Sequence, residues 1–176
     1  MPYTRSFLLA AAAAALIAGG AQASDLLIGG LDPVYNSPLF NFEGFYAGAS
    51  LGIGSFPSTG TVGVVGVVAG TNFTVTDAIL AGVEFQGDLL WNDSGVAGID
   101  ALFLAKLGFY LTDQTLLYGT AGVGWVADDV AYGLGAGVEQ AITDQVSVRG
   151  EALATGAWGG GFDGGKATVS VLWHMN

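Results

Sequence analysis

One stretch of this chain limits its fold more than any other: Ile79–Trp91, which reads I-L-A-G-V-E-F-Q-G-D-L-L-W. Its odd-numbered residues (Ile79, Ala81, Val83, Phe85, Gly87, Leu89, Trp91) are all nonpolar, while Glu84, Gln86 and Asp88 fall on even numbers. Successive side chains of a strand point to opposite faces. As a strand, the segment therefore has one apolar face and one face that carries carboxylates. Its 13 residues also exceed the usual strand of roughly 5–6. A long strand of this kind suits a barrel in a membrane. An edge strand of a soluble sandwich shows the same pattern once, so recurrence decides.

The pattern recurs along the chain. Phe45, Ala47, Ala49, Leu51 and Ile53 oppose Tyr46 and Ser50; Ile99, Ala101, Phe103, Ala105, Leu107, Phe109 and Leu111 oppose Asp100 and Lys106. Leu117–Trp125, Tyr132–Ile142, Val146–Ala154 and Ala167–Met175 follow the same rule, with Glu139, Arg149, Glu151 and His174 opposite the apolar sets. Gln140 sits with an apolar set, next to a turn. Val62–Val75 is apolar on both faces, and its register is open at this stage. A charge facing lipid at mid-bilayer costs about 2–4 kcal/mol for Arg or Lys. Glu84, Asp88, Asp100, Lys106, Glu139, Arg149 and Glu151 all avoid the apolar face, as that cost demands. A soluble barrel would turn its charges outward. A chain 52% hydrophobic and only 11% charged favours oil on the outside, against about 25% charged in ordinary soluble domains.

A short repeat sets the topology. Thr76-Asp77, Thr112-Asp113 and Thr143-Asp144 each join two alternating runs. Thr and Asp side chains bond nearby backbone and favour tight turns, so each pair is expected to close a hairpin on the periplasmic side. Three such turns imply six strands, and the runs at either end make eight. The expectation is an all-β, eight-stranded antiparallel up-and-down transmembrane β-barrel. Its outer loops are expected near Pro57–Gly60, Asn92–Gly98, Ala127–Asp129 and Gly156–Gly165, too short to leave much surface for adhesion. Trp91, Trp125 and Trp173 fall near run ends and read as interfacial aromatics, as does Trp158 near a loop.

The N-terminus gives the expected route. A basic start at Met1–Arg5 precedes the apolar run Phe7–Ala18 and then Ala21-Gln22-Ala23. This reads as a signal peptide over residues 1–23, cleaved after Ala23, since its core is shorter than the roughly 20 residues a spanning helix needs. Residues 24–43, with Pro33 and Pro38, read as a periplasmic leader in which Leu26, Leu27, Ile28 and Phe40 are free to pack, and residues 44–176 as the barrel. Export leaves three basic residues against all 15 acidic ones. That balance argues against nucleic-acid binding, which needs Lys and Arg to neutralise phosphates.

The segments Gly44–Gly52 (G-F-Y-A-G-A-S-L-G), Gly82–Trp91, Leu116–Val123 (L-L-Y-G-T-A-G-V) and Gly135–Glu151 resemble small outer-membrane β-barrels. The resemblance is to the outer-membrane immunogenic proteins, related to the OmpA-type transmembrane domain, and runs from about Gly44 to the C-terminus. It implies an eight-stranded barrel in a Gram-negative outer membrane, partnered by the bilayer and, during biogenesis, by the barrel-assembly machinery, with no enzymatic activity. Such barrels usually end on an aromatic residue; this chain departs from that pattern, ending Trp173-His174-Met175-Asn176, so either Trp173 serves as the aromatic signal or the signal is weak.

The seven charged residues of the polar face have two readings: an ion path, or a salt-bridge network filling a bore only wide enough for side chains. The second is favoured, with five carboxylates sharing Lys106 and Arg149. His174 is the only histidine, and its place at a strand end needs no catalytic explanation. One histidine among carboxylates is too little for a transition-metal site, and no cysteine is present. The Gly-rich stretches at 62–70, 119–124 and 159–165 lack the helix and the Lys-Ser/Thr of phosphate loops; such glycines serve curvature and make room for Tyr46, Tyr118 and Tyr132. The expected function is a structural outer-membrane barrel with a plugged polar interior, monomeric and without cofactor. A narrow passive channel is the alternative.

Overall fold

The computed structural model describes residues 40–126 and 129–175. The expected signal peptide with its cleavage at Ala23, the expected leader up to residue 39, part of the loop at 127–128 and Asn176 lie outside the described residues. Eight strands follow one another: β1 (Gly44–Phe56), β2 (Gly60–Thr76), β3 (Ile79–Asn92), β4 (Gly95–Thr112), β5 (Thr115–Val126), β6 (Asp129–Ala141), β7 (Val146–Ala157) and β8 (Gly164–Met175). Each pairs antiparallel with the next, and β8 pairs with β1 to close the barrel. No helix among the described residues is long and apolar enough to cross a membrane; this chain crosses with strands.

Closure sets the geometry. Register partners lead from Phe45 through Thr71, Val83, Ala105, Ala121, Leu134, Ala154 and Gly165, and return to β1 at Ser55, ten residues from the start. With a rise of about 3.3 Å per residue and strands about 4.8 Å apart, that stagger tilts the strands about 40° from the axis. The apolar face from Ile79 to Trp91 then covers roughly 30 Å along the axis, close to the thickness of a bilayer core.

The exterior is apolar. Phe45, Leu51, Val67, Val83, Phe103, Leu107, Val123, Leu134 and Val171 are all exposed, which in water would be a severe liability and in lipid is the stable arrangement. The faces follow the alternation read from the sequence. In β2, whose register was open, Val62, Val64 and Val68 point inward while Val65, Val67 and Phe73 point outward. Pairing with β1 and β3 imposes that choice, because a one-residue slip would invert every side chain. Gln140 does face out at the turn-side rim, where its Oε1 accepts from Thr115 Oγ1 at 2.7 Å.

Several strands run further than the alternation indicates. β4 begins at Gly95 rather than Ile99, β6 at Asp129 rather than Tyr132, and β7 and β8 extend to Ala157 and back to Gly164. β6 ends one residue early, leaving Ile142 in the turn. Backbone pairing continues past the bilayer-facing residues, where side-chain polarity no longer reports it, so the loops are shorter than expected.

Within the three Thr-Asp turns the hydroxyl accepts the hydrogen bonds. The amides of Ala78, Gln114 and Gln145 donate to Thr76, Thr112 and Thr143 Oγ1 at 3.3, 3.2 and 3.4 Å, and Val146 N also reaches Thr143 Oγ1 at 3.1 Å. On the opposite rim, Gly60 and Gly95 adopt φ of 69° and 114°, a region that glycine enters at little cost. Gly70 and Gly137 lie against the rings of Tyr46 and Tyr118 in the bore, and Gly156 against the ring of Tyr132 on the outer face, where a Cβ would collide with the phenol.

Candidate functional site

The bore is organised in layers along each strand. The inward residues of β3 run Leu80, Gly82, Glu84, Gln86, Asp88 and Leu90: apolar, polar, apolar. The same order around the barrel produces a charged middle between two greasy ends. All seven charged residues expected on the polar face lie inside, none more than 3% exposed.

The centre of the network is Arg149 on β7. Its Nη1 and Nη2 donate to Glu84 Oε2 and Oε1 of β3 at 2.5 and 3.1 Å, a two-pronged pairing that matches a planar guanidinium to a carboxylate. Tyr46 donates its hydroxyl to Glu84 Oε2 at 2.6 Å. Gln86 Nε2 bridges Glu84 Oε1 at 2.8 Å and Glu151 Oε1 at 2.7 Å, and Tyr118 donates to Glu151 Oε2 at 2.8 Å. Lys106 Nζ pairs with Glu139 Oε2 at 3.1 Å and lies 4.4 Å from the centre of the Tyr118 ring, an attractive position for a cation.

One further cation joins the network and corrects the expectation of two cations for five carboxylates. Lys166, at the loop end of β8, pairs with Asp88, which also accepts from Ser50 Oγ at 3.3 Å. The sequence placed Lys166 between a loop and a strand; only the extra turn of pairing in β8 brings it inside. His174 Nε2 lies 2.9 Å from Glu139 Oε1 and 3.1 Å from Ser147 Oγ, so the ring joins the network at its turn-side end. Asp100 is fully buried opposite Asp88 in the β3–β4 register.

The ends of the bore differ from its middle. A plugged polar interior was expected, and Phe56, Val62, Val64, Leu90, Leu102, Leu104, Val126, Ala131 and Leu153 add an apolar cluster toward the loop rim. At the turn rim Phe40, Phe42, Leu80 and Leu116 form another. Inward Leu residues were visible on even positions, but the strict contrast between faces hid them behind the charges. Phe42 was missed altogether, because no period marks residues 24–43. The interior is therefore an ion network enclosed between two dry layers.

Other expected residues fall on the surface. Trp91, Trp125 and Trp173 are about half exposed near strand ends, the first two toward the loop rim and Trp173 toward the turn rim. Trp158 lies in the β7–β8 loop. Glu43, Asp77, Asp113, Asp144, Asp93 and Asp163 lie exposed at the two rims. Among the described residues no cation lies outside the bore, and no group of three or more candidate metal ligands occurs among them.

An apolar exterior, closed strand pairing and an ionic core define the class: a transmembrane β-barrel of the smallest common size, with its bore filled by side chains. No family model matches the chain, and no curated protein matches it. Among solved structures it resembles Ail, the attachment invasion locus protein of Yersinia pestis, with a TM-score of 0.53 and 12% identity over 75% of this chain and 98% of that one. De novo designed transmembrane β-barrels align over 76% of this chain and 97% of theirs, at 14% identity and a TM-score of 0.47. At these identities the likeness to Ail concerns the fold.

Proposed function

We propose that this protein is a structural outer-membrane β-barrel that contributes to envelope integrity, closed to solutes and without enzymatic activity. One observation carries the reading: Glu84, Asp88, Lys106, Glu139, Arg149, Glu151 and Lys166 are each no more than 4% exposed. A water-filled pore wets the charges that line it. Here each charge meets protein instead, and apolar layers stand above and below. A bore of eight strands has room for side chains and little else, so the narrow-channel alternative is not favoured.

The placement in an outer membrane rests on the signal-like N-terminus and on the resemblance to outer-membrane immunogenic and OmpA-type barrels. Assembly by the barrel machinery follows from the same reading, and the short loops support a monomer with a small surface footprint. The purified protein in planar bilayers is expected to give no reproducible single-channel steps. Steps that scale with salt concentration would instead establish the channel.

A further inference from the structure

The two apolar seals differ in origin. The loop-side seal is built by strands β1–β7, from residues such as Val64, Leu90, Leu102 and Leu153, and cannot leave without unfolding the barrel. The turn-side seal depends on a segment that belongs to no strand. Phe40 and Phe42 precede β1, yet they are only 7% and 0% exposed, packed among Leu80, Leu116 and Tyr110. Alternate residues of one extended segment thus enter the mouth, while Asn41 between them is exposed.

The segment is seated by specific contacts. Asn72 Nδ2 of β2 donates to the Phe42 carbonyl at 2.9 Å, and Thr74 Oγ1 donates to Glu43 Oε2 at 3.4 Å. The Phe40 ring meets His174 edge-on at 4.8 Å between centres, and Phe42 meets Tyr110 at 5.8 Å. Beneath these rings lies the buried polar layer: His174, then Glu139, Ser147 and Lys106. His174 is 0% exposed, with Tyr46 stacked on it from within the bore at 5.4 Å.

The geometry points to a detachable strap: Phe40-Asn41-Phe42 is a removable seal over the buried polar layer, which it covers toward the turn rim. Withdrawing it leaves every strand pairing intact. The exposed floor presents an imidazole, a carboxylate and an ammonium to the turn-side solvent. The bore remains closed beyond them, because the opposite seal is part of the wall. This inference rests on the closed-bore reading and concerns access to the bore from the turn rim alone.

His174 is the only histidine in the chain, so acylation by diethyl pyrocarbonate, followed as the mass of the His174 peptide, reads its accessibility directly. In folded wild-type protein in detergent micelles, His174 is expected to react about a hundredfold more slowly than a free histidine peptide. Phe40→Ala with Phe42→Ala is expected to raise the rate by at least about tenfold while heat-modifiable gel mobility shows the barrel intact. Should that variant not fold, Asn72→Ala, which keeps both rings and removes only the anchor, is expected to raise the rate as well. Leu90→Ala, in the opposite seal, is expected to leave His174 protected. Wild-type reaction close to the free-peptide rate, protection unchanged in the strap variants, or equal deprotection by Leu90→Ala would each overturn the strap.

Discussion

Arg149 and Glu84 stand 65 residues apart in the chain and meet fork to fork inside the bore, at 2.5 and 3.1 Å. Neither residue has an exposed alternative: both side chains are at most 1% accessible. Desolvating two such ions is costly, and the pair holds only because Tyr46, Gln86 and Lys106 complete the surroundings.

Arg149→Met is therefore expected to be strongly destabilising, by about 3–5 kcal/mol, because it strands Glu84 as an uncompensated buried charge. Adding Glu84→Gln to the same chain is expected to recover much of that loss. Urea unfolding in lipid vesicles, followed by tryptophan fluorescence, measures both. A wild-type midpoint for Arg149→Met would show that the network contributes no stability.

In the turns, the Thr hydroxyl and the Asp carboxylate have separable roles. Thr143→Val removes the acceptor for two amides and is expected to cost about 1 kcal/mol. Asp144→Ala changes an exposed side chain and is expected to stay within about 0.5 kcal/mol. The same unfolding assay compares them, and a larger loss for Asp144→Ala would reverse the assignment.

Ala105 faces outward midway along β4, and Thr61 faces outward at the loop end of β2. Ala105→Arg is expected to cost about 2–4 kcal/mol, and Thr61→Arg about 0–1 kcal/mol, because the penalty depends on depth in the bilayer. Equal, small effects in vesicles would mean that Ala105 does not face lipid.

Much of this architecture was legible locally. The alternation along Ile79–Trp91 and Ile99–Leu111 separated lipid-facing from bore-facing residues, because the side-chain period of a strand is two and a lipid-facing charge is expensive. The Thr-Asp repeats located the short turns. Even Gln140, on the wrong face for a polar residue, was readable as a rim position beside a turn. Val62–Val75 was not readable, since valine on both faces carries no phase, and pairing with its neighbours supplied the register.

What lay beyond the sequence concerns partners distant in the chain. The residues themselves determined that this is a barrel of eight strands with its ions hidden, because each strand's polarity is a local property. Only the closed structure decided that Glu84 takes Arg149, that Lys166 reaches Asp88, and that Phe42 caps His174. Those meetings depend on a stagger of ten residues around the barrel, which arises when β8 pairs with β1 and which no single strand encodes.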